Sequence, residues 1–275
     1  MRKIKLYWFN AIYNLGDVLN PLLFKKLFDI PVVRSKVTKA DCVAIGSNAS
    51  KLLKNKFSLG GWIRKMIRKP IKVWGTGFIE PEVSKSCFLS RKLDVYAVRG
   101  KLTLNRLQKY TAKNLSNVVL GDPGLLVSKL FDMSKIEKKY ELGIIPHYVD
   151  ANSPLLKNIQ VKNSIVIDVT APVEQTLILI ASCKHIISSA MHGLIVADSF
   201  GIPNIRMELS NAIAGGDYKF RDYYSALDMD LPDKILMTQD TKITDTKFIS
   251  DNYKVPQNKV QEICKELIRV FPYKY

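Results

Sequence analysis

Short apolar runs alternate with amphipathic segments along almost the whole of this sequence. Runs of this kind are typical of strands in parallel sheets, and the segments between them are typical of crossover helices. The alternation therefore predicts an α/β fold with parallel sheets. The predicted strands cover residues 4–9, 42–45, 71–74, 95–98, 118–120, 141–145, 165–169, 185–188 and 204–206.

The chain of 275 residues is long enough for two lobes, each with its own sheet. A charged stretch at 131–140 separates two groups of predicted strands, and we predict the domain boundary there. We expect an N-terminal domain over residues 1–131 and a C-terminal domain over residues 140–250. Apolar residues at helical spacing between 260 and 271 predict a helix within residues 251–275 that packs back on the first domain.

The composition is strongly basic, with 42 Lys and Arg against 25 Asp and Glu and a net charge of +17. Such a surface attracts phosphates, nucleic acids or anionic membranes. The basic amphipathic stretch at 61–69 is either a solvated helix face or a contact with an anionic membrane. The sequence lacks recognisable nucleic-acid modules, so nucleic acid is not an expected partner. A protein that binds nucleic acid or a membrane surface is the non-enzymatic alternative.

The four cysteines form no C-x-x-C pair and have no histidine at metal spacing, so we predict buried thiols and no metal site. No segment reaches the ~18 apolar residues that a membrane span needs. The basic start leads into a short apolar run broken by Asn10, which is not typical of a signal peptide. We therefore expect a cytoplasmic protein, and any membrane association is expected to be peripheral, at the inner face of the membrane.

Ligands of open parallel sheets bind beyond the carboxyl ends of the strands, so residues that follow the predicted strands are the candidate site residues. Asn14, Gly16 and Asp17 follow the first strand. Gly16 permits a tight turn, and we expect Asp17 to cap the next helix. The free amide groups at the start of that helix can also bind an anion.

The third and fourth predicted strands are followed by glycines and cations. Gly75, Thr76 and Gly77 let the backbone pass close to a ligand and offer one hydroxyl, although plain turn geometry explains them equally well. Arg99 stands at the end of the fourth strand, with Lys101 in the next helical turn. A guanidinium there suits bidentate binding of a carboxylate or phosphate, and a surface salt bridge is the alternative.

Two further strand ends and one loop carry polar candidates. Asp122 follows the fifth strand as a cleft-facing carboxylate or a turn residue, and His147 follows the sixth as a substrate ligand or a structural histidine. Residues 215–224 combine a glycine pair, Lys219, Arg221 and three tyrosines. This composition predicts an acceptor-binding loop that stacks rings and binds phosphates, or else a basic surface loop.

The strongest single signal lies at residues 187–203, where a strand ends in Ser188 and Ser189 and a helix begins near His192. We expect Ser189 to cap this helix. The positive end of the helix dipole disfavours protonation of the imidazole, so His192 is expected to be available as a base near neutral pH. A histidine held in this way can exchange a proton during catalysis.

These motifs together resemble the short bacterial members of the polysaccharide pyruvyl transferases. The shared motifs are N-x-G-D-x-L-N-P from residue 14, W-G-T-G from 74, V-R-G-x-L-T from 98, L-G-D-P-x-L-L from 120, P-H-Y from 146 and S-S-x-x-H-G-L-I-x-A-D-x-x-G-I-P from 188. The resemblance implies two Rossmann-like domains similar to the two-lobed (GT-B-like) glycosyltransferases.

The resemblance also implies an enzyme that transfers the enolpyruvyl unit of phosphoenolpyruvate to a sugar as a ketal and releases phosphate. The acceptor would belong to an exopolysaccharide or capsule, or to its lipid-diphosphate-linked precursor, and no cofactor or metal is expected. His192 corresponds to the general acid or base of the family, and Arg99 to the clamp on phosphoenolpyruvate.

One departure from the family pattern concerns Ala190, which stands where many longer members have arginine. Part of the anion clamp is therefore expected from other cations, the candidates being Lys101, His147, Lys219 and Arg221. A glycosyltransferase that uses a nucleotide sugar is the enzymatic alternative, because a fold alone does not determine the chemistry.

Overall fold

The computed structural model describes residues 3–54, 67–81 and 87–273. Two parallel sheets with accompanying helices make up this part of the chain. The predicted α/β fold with two Rossmann-like domains is confirmed. Residues 61–66 of the basic amphipathic stretch lie outside the described residues.

The first sheet has six strands, all parallel to their neighbours. A separate antiparallel pair is formed by β4 and β6. The strands of this half are β1 (Ile4–Tyr7), β2 (Val32–Arg34), β3 (Cys42–Val43), β4 (Leu53–Lys54), β5 (Ile71–Trp74), β6 (Phe88–Leu89), β7 (Leu93–Val98) and β8 (Val119–Leu120). Their order in the first sheet is β2-β1-β3-β5-β7-β8.

The second sheet has five strands and is also parallel throughout. The strands are β9 (Tyr140–Ile145), β10 (Ser164–Val166), β11 (Cys183–Ser188), β12 (Asn204–Glu208) and β13 (Lys234–Leu236). Their order is β10-β9-β11-β12-β13. The predicted boundary at 131–140 falls between β8 of the first sheet and β9 of the second.

Seven α-helices occur in the described ranges, and none of them is both long and apolar enough to cross a bilayer. They are α1 (Leu15–Phe28), α2 (Lys101–Gln108), α3 (Val173–Ala181), α4 (Met191–Ser199), α5 (Tyr218–Ala226), α6 (Lys247–Asn252) and α7 (Gln257–Arg269).

Helix α1 contains a proline at position 21, which removes one backbone donor from the helix interior. In a regular helix the N–H of residue 21 would bond the carbonyl of Asp17. The side-chain amide of Asn20 donates a hydrogen bond to that carbonyl instead, at 3.1 Å. The same side chain accepts a hydrogen bond from the backbone N–H of Ile45 at 3.0 Å. Asn20 therefore ties the start of α1 to the segment that follows β3.

Helix α7 packs back on the first domain through a stripe of apolar residues at helical spacing, namely Val260, Ile263, Cys264 and Leu267. The indole N–H of Trp74 donates to the carbonyl of Leu267 at 3.1 Å. The ring of Phe271 contacts Phe24, Phe28 and Trp74. Residues near the end of the described chain thus complete the core beneath the first sheet.

Two short edge strands, β2 and β13, are absent from the sequence-based predictions. Each has only three residues, and most of these are partly or fully exposed. Their apolar runs are too short to stand out from loops. Among the cysteines, Cys87 differs from the expectation of a buried thiol because it is only half-buried.

Candidate active site

A cavity of about 310 Å³ lies between the two sheets, at the carboxyl ends of β1, β3, β9 and β11. This is where parallel sheets of this type bind ligands. Its wall consists of residues 14–17, 46–48, 50–51, 147–148 and 190–193, together with Phe9, Ile79, Val169 and Lys219. Six of the predicted site residues line it: Asn14, Gly16, Asp17, His147, His192 and Lys219.

Helix α1 presents its N-terminus to this cavity. Asn14 is the N-cap, and its side chain accepts a hydrogen bond from the backbone N–H of Asp17 at 3.3 Å. The prediction that Asp17 caps α1 is therefore wrong, because Asp17 lies in the first turn and accepts a hydrogen bond from the Asn14 amide. Burial raises the pKa of Asp17 to about 6, so its carboxyl retains a proton closer to neutral pH than an ordinary aspartate does.

Helix α4 also begins at the cavity, and its N-cap residue is Ala190, which offers no side-chain cap. The prediction that Ser189 caps α4 is wrong, because the Ser189 hydroxyl accepts a hydrogen bond from the backbone N–H of His147 at 2.8 Å. The Ser188 hydroxyl donates to the carbonyl of Ile145 at 2.9 Å. Both serines thus link the end of β11 to the end of β9 through hydrogen bonds. The first turn of α4 therefore has no side-chain cap.

The imidazole of His192 lies between Gly16 and Asp122, and 16% of the side chain is exposed. Its Nε2 atom is 3.8 Å from Oδ2 of Asp122. Burial is the main cause that lowers the pKa of His192 to about 3, and the positive charges of Arg99 and Lys219 lower it further. The imidazole is therefore neutral at physiological pH, with one ring nitrogen unprotonated.

We expect Gly16→Ala to displace the His192 ring, because a Cβ atom at position 16 would lie 2.1 Å from Nδ1. Overpacking of this kind costs about 1 to 3 kcal/mol of unfolding free energy. Denaturant unfolding of the single variants and of Gly16→Ala combined with His192→Ala measures the coupling. The cost should largely disappear without the imidazole, and an equal cost in both backgrounds would contradict the assigned contact.

Lys219 lies on α5 and is only 6% exposed, and its Nζ donates to the carbonyl of Ala214 at 3.1 Å. Burial, Arg99 and Arg206 lower its pKa to about 8. Burial and the neighbouring Lys219 also lower the pKa of His147 to about 4. The cavity therefore holds one buried cation and two neutral imidazoles at physiological pH.

The predicted acceptor-binding loop at 215–224 is wrong from residue 218 onward, because helix α5 begins at Tyr218. Tyr223 and Tyr224 are buried, and the hydroxyl of Tyr223 donates to Asp198 at 2.8 Å. Arg221 is exposed and lies outside the cavity wall. Two residues along a helix separate Lys219 and Arg221 by more than half a turn, so these two cations face opposite directions.

Arg99 lies behind the cavity wall and is fully buried. Its Nε donates to Asp222 at 2.9 Å, one Nη donates to the carbonyl of Phe78, and the other donates to the hydroxyl of Ser47 at 2.7 Å. Ser47 lines the cavity, so the guanidinium reaches the site through this hydroxyl. Direct contact of Arg99 with phosphoenolpyruvate stays a prediction.

Three other predicted residues shape the site from outside the cavity. The Thr76 hydroxyl donates to the carbonyl of Gly46 at 2.7 Å and accepts from the backbone N–H of Asn48 at 3.1 Å. Gly77 leaves room for the Arg99 guanidinium, and Gly75 adopts φ +92° against Pro123. The two Thr76 hydrogen bonds position the cavity-lining segment at 46–48.

Lys101 is not brought to the cavity. Its ammonium pairs with Asp228 at 2.7 Å on the surface, where about half of each side chain is exposed. In this structure Lys101 forms a surface salt bridge and does not line the cavity.

The segment that follows β3 is the part of the site that the sequence-based predictions missed. Ser47, Asn48, Ser50 and Lys51 all line the cavity. The rule that ligands bind at strand ends identifies them, since they directly follow the predicted strand at 42–45. Lys51 adds an exposed cation to the cavity wall.

The chain is an α/β protein with two Rossmann-like lobes, and a cavity lined by cations lies at their facing strand ends. The family model described as polysaccharide pyruvyl transferase matches residues 3–211, which is most of the chain. The chain belongs to the polysaccharide pyruvyl transferase family, so the family predicted from the motifs is confirmed.

Two known proteins are similar to the chain over most of its length. An uncharacterised protein of Acanthamoeba polyphaga mimivirus is 31% identical over 233 residues, which cover 82% of this chain and 74% of that protein. The succinoglycan biosynthesis protein ExoV of Rhizobium meliloti (strain 1021) is 25% identical over 223 residues, which cover 80% of this chain and 64% of that protein. The matched part is thus less than two thirds of ExoV.

Proposed function

We propose that the protein transfers the enolpyruvyl unit of phosphoenolpyruvate to a sugar and forms a pyruvate ketal with release of phosphate. The observation that carries this proposal is a cavity in which the neutral imidazole of His192 lies among two helix N-termini and the buried cation Lys219. Family membership supports the reaction class.

The anion-binding character of the cavity supports a donor with a carboxylate and a phosphate. Helix N-termini bind anions through free amide groups and the positive end of the dipole. Lys219 and Lys51 add two cations, and the hydroxyls of Ser47 and Ser50 add neutral donors. The volume of about 310 Å³ suits a small ligand such as phosphoenolpyruvate.

In the proposed reaction, a sugar hydroxyl oxygen bonds to C2 of the donor while C3 gains a proton and becomes a methyl group. The C2–O bond to phosphate then breaks, and phosphate leaves with the electron pair of that bond. A second hydroxyl of the same sugar bonds to C2 and closes the ketal. Of the two hydroxyl protons released, one balances the proton added to C3 and the other leaves with phosphate.

Two groups in the cavity wall have shifted pKa values: that of the His192 imidazole is lowered and that of the Asp17 carboxyl is raised. Titratable groups whose environments shift their pKa values apart are typical of acid and base pairs in active sites. His192 is neutral and accepts the hydroxyl proton in this proposal. Asp17, whose pKa burial raises to about 6, is protonated in a larger fraction at neutral pH than an ordinary aspartate, and in this proposal it delivers the proton to C3. Asp17 directly follows Gly16, which contacts the His192 ring, so both groups belong to the same wall of the cavity.

The proposed acceptor is a sugar carried on a lipid diphosphate at an anionic membrane face. The net charge of +17 supports this part of the proposal, because basic proteins concentrate at anionic surfaces. Sedimentation with vesicles of anionic lipid, compared with vesicles of neutral lipid, tests it. Equal sedimentation with both would contradict it.

Thermal unfolding with candidate donors tests the proposed function. A ligand that binds only the native state raises the unfolding temperature, so we expect stabilisation by phosphoenolpyruvate beyond that by pyruvate or inorganic phosphate. Nucleotide sugars form the comparison series. Stabilisation by a nucleotide sugar, with none by phosphoenolpyruvate, would replace pyruvyl transfer with glycosyl transfer.

A further inference from the structure

Asp122 and His192 each carry a buried polar atom without a hydrogen-bond partner among the described residues. Asp122 is fully buried at the start of the 3₁₀ turn Pro123–Leu130, and its Oδ1 accepts a hydrogen bond from the backbone N–H of Gly124 at 2.9 Å. Its Oδ2 has no such partner, and neither has Nε2 of His192. Unpartnered buried polar atoms are rare in native structures and require an explanation.

These two atoms face each other at 3.8 Å. The separation is longer than a hydrogen bond, and it is shorter than the gap of about 5 Å that a bridging water would need. A closer approach of about 1 Å would form a direct Nε2–H···Oδ2 bond and satisfy both atoms at once. Either atom left unpaired would carry its full desolvation penalty.

We propose that Asp122 is a positioning residue that holds His192 in the Nε2–H tautomer, so that Nδ1 is the ring nitrogen that faces the cavity and exchanges protons. A carboxylate only accepts hydrogen bonds, so a nitrogen that faces it must carry the proton. The opposite edge of the ring then keeps a free lone pair. That edge lies against Gly16, which itself lines the cavity.

The identification of Asp122 as the tautomer-fixing group is independent of the substrate, and only the proton exchange at Nδ1 rests on the proposed function. Burial raises the pKa of Asp122 to about 6, which Gly124 and Arg99 oppose and Asp222 reinforces. The groups that act on the imidazole are Arg99, Lys219 and His147. At pH 8 Asp122 is therefore ionised and His192 is neutral, which makes this the pH at which to determine the tautomer.

Long-range ¹H–¹⁵N correlation spectra of the histidine rings distinguish the two tautomers directly. The chain has three histidines, so His192→Gln identifies the His192 signals by their loss. We expect a protonated Nε2 and an unprotonated Nδ1 in the wild-type protein without any substrate. The wild-type spectrum alone can overturn the proposal, if it shows His192 protonated at Nδ1 or an even mixture of the two tautomers.

Asp122→Asn is the decisive variant. Its carbonyl oxygen can keep the Gly124 bond, which turns its NH₂ group toward Nε2 and makes that nitrogen an acceptor. We expect His192 to switch to the Nδ1–H tautomer. Retention of the wild-type tautomer in folded Asp122→Asn would contradict the positioning role.

Asp198→Asn is the matched control, because it removes an equally buried carboxylate from the same helix as His192. Asp198 bonds Asn204, Tyr223 and Tyr253 rather than the imidazole. We expect the tautomer of His192 to be unchanged in this variant, and a switch there would show that general destabilisation is the cause. Because no substrate is present, these spectra and the ligand-stabilisation test of the proposed function can fail independently.

Discussion

Asp222→Asn is expected to lower the free energy of unfolding by about 3 to 5 kcal/mol, the cost of leaving a buried charge without its partner. Asp222 and Arg99 form an ion pair at 2.9 Å, and both side chains are fully buried. Oδ2 of Asp222 also accepts a hydrogen bond from the Thr103 hydroxyl, and Oδ1 accepts one from the Thr103 backbone N–H. The substitution removes the carboxylate and leaves the guanidinium uncompensated.

Urea unfolding of the wild-type and variant proteins measures this cost. The control is Asp228→Asn, which removes a carboxylate that also joins the two lobes but pairs with Lys101 and Lys259 at the surface. Exposed pairs are worth at most about 1 kcal/mol. Equal losses of unfolding free energy in the two variants would show that the buried pair stabilises the protein no more than an exposed pair does.

Lys219→Met is expected to weaken phosphoenolpyruvate binding by about 10- to 100-fold, the range lost with one charge-assisted hydrogen bond. Lys219 is the most buried cation of the cavity wall, at 6% exposure. Methionine keeps the length and apolar stem of the side chain but removes the charge. Calorimetric titration of phosphoenolpyruvate into both proteins at one ionic strength measures the difference.

Arg221→Met removes a cation two residues further along the same helix, where the side chain is exposed and outside the cavity wall. We expect nearly unchanged affinity in this control. The pKa of Lys219 is lowered to about 8, so wild-type affinity should fall as the pH rises through 8 and the ammonium loses its proton. That fall should be absent from Lys219→Met, and a similar loss of affinity in both variants would indicate nonspecific attraction.

The positions of the larger strands along the chain could be predicted from the sequence because they depend on local apolar patterns, and the strand-end location of the site follows from the parallel arrangement of those strands. Asn14, Gly16 and Asp17 follow β1, and His192 follows β11. All four residues line the cavity. Residues 46–51 were missed although the same rule applies to them. The composition of residues 215–224 predicts a loop at Lys219 and does not indicate the helical rotation that separates this residue from Arg221.

Other features depend on contacts between residues far apart in the sequence. The Arg99–Asp222 pair spans 123 positions, and nothing near Arg99 shows that its charge is neutralised by a residue of the other lobe. The two serines before α4 are equally ambiguous, because a cap and a bond to a neighbouring strand need the same residue type. Their actual partners, Ile145 and His147, are set by the packing of β9 against β11.

The docking of Phe271 against Phe24, Phe28 and Trp74 has a consequence for synthesis on the ribosome. The N-terminal lobe of a multidomain chain usually folds as a unit while later residues are still being added. Here the rings beneath the first sheet lack their cover until residues 267–271 have been translated. We therefore expect the nascent first lobe to expose an aromatic surface for most of translation, and transiently exposed apolar surfaces of this kind promote aggregation.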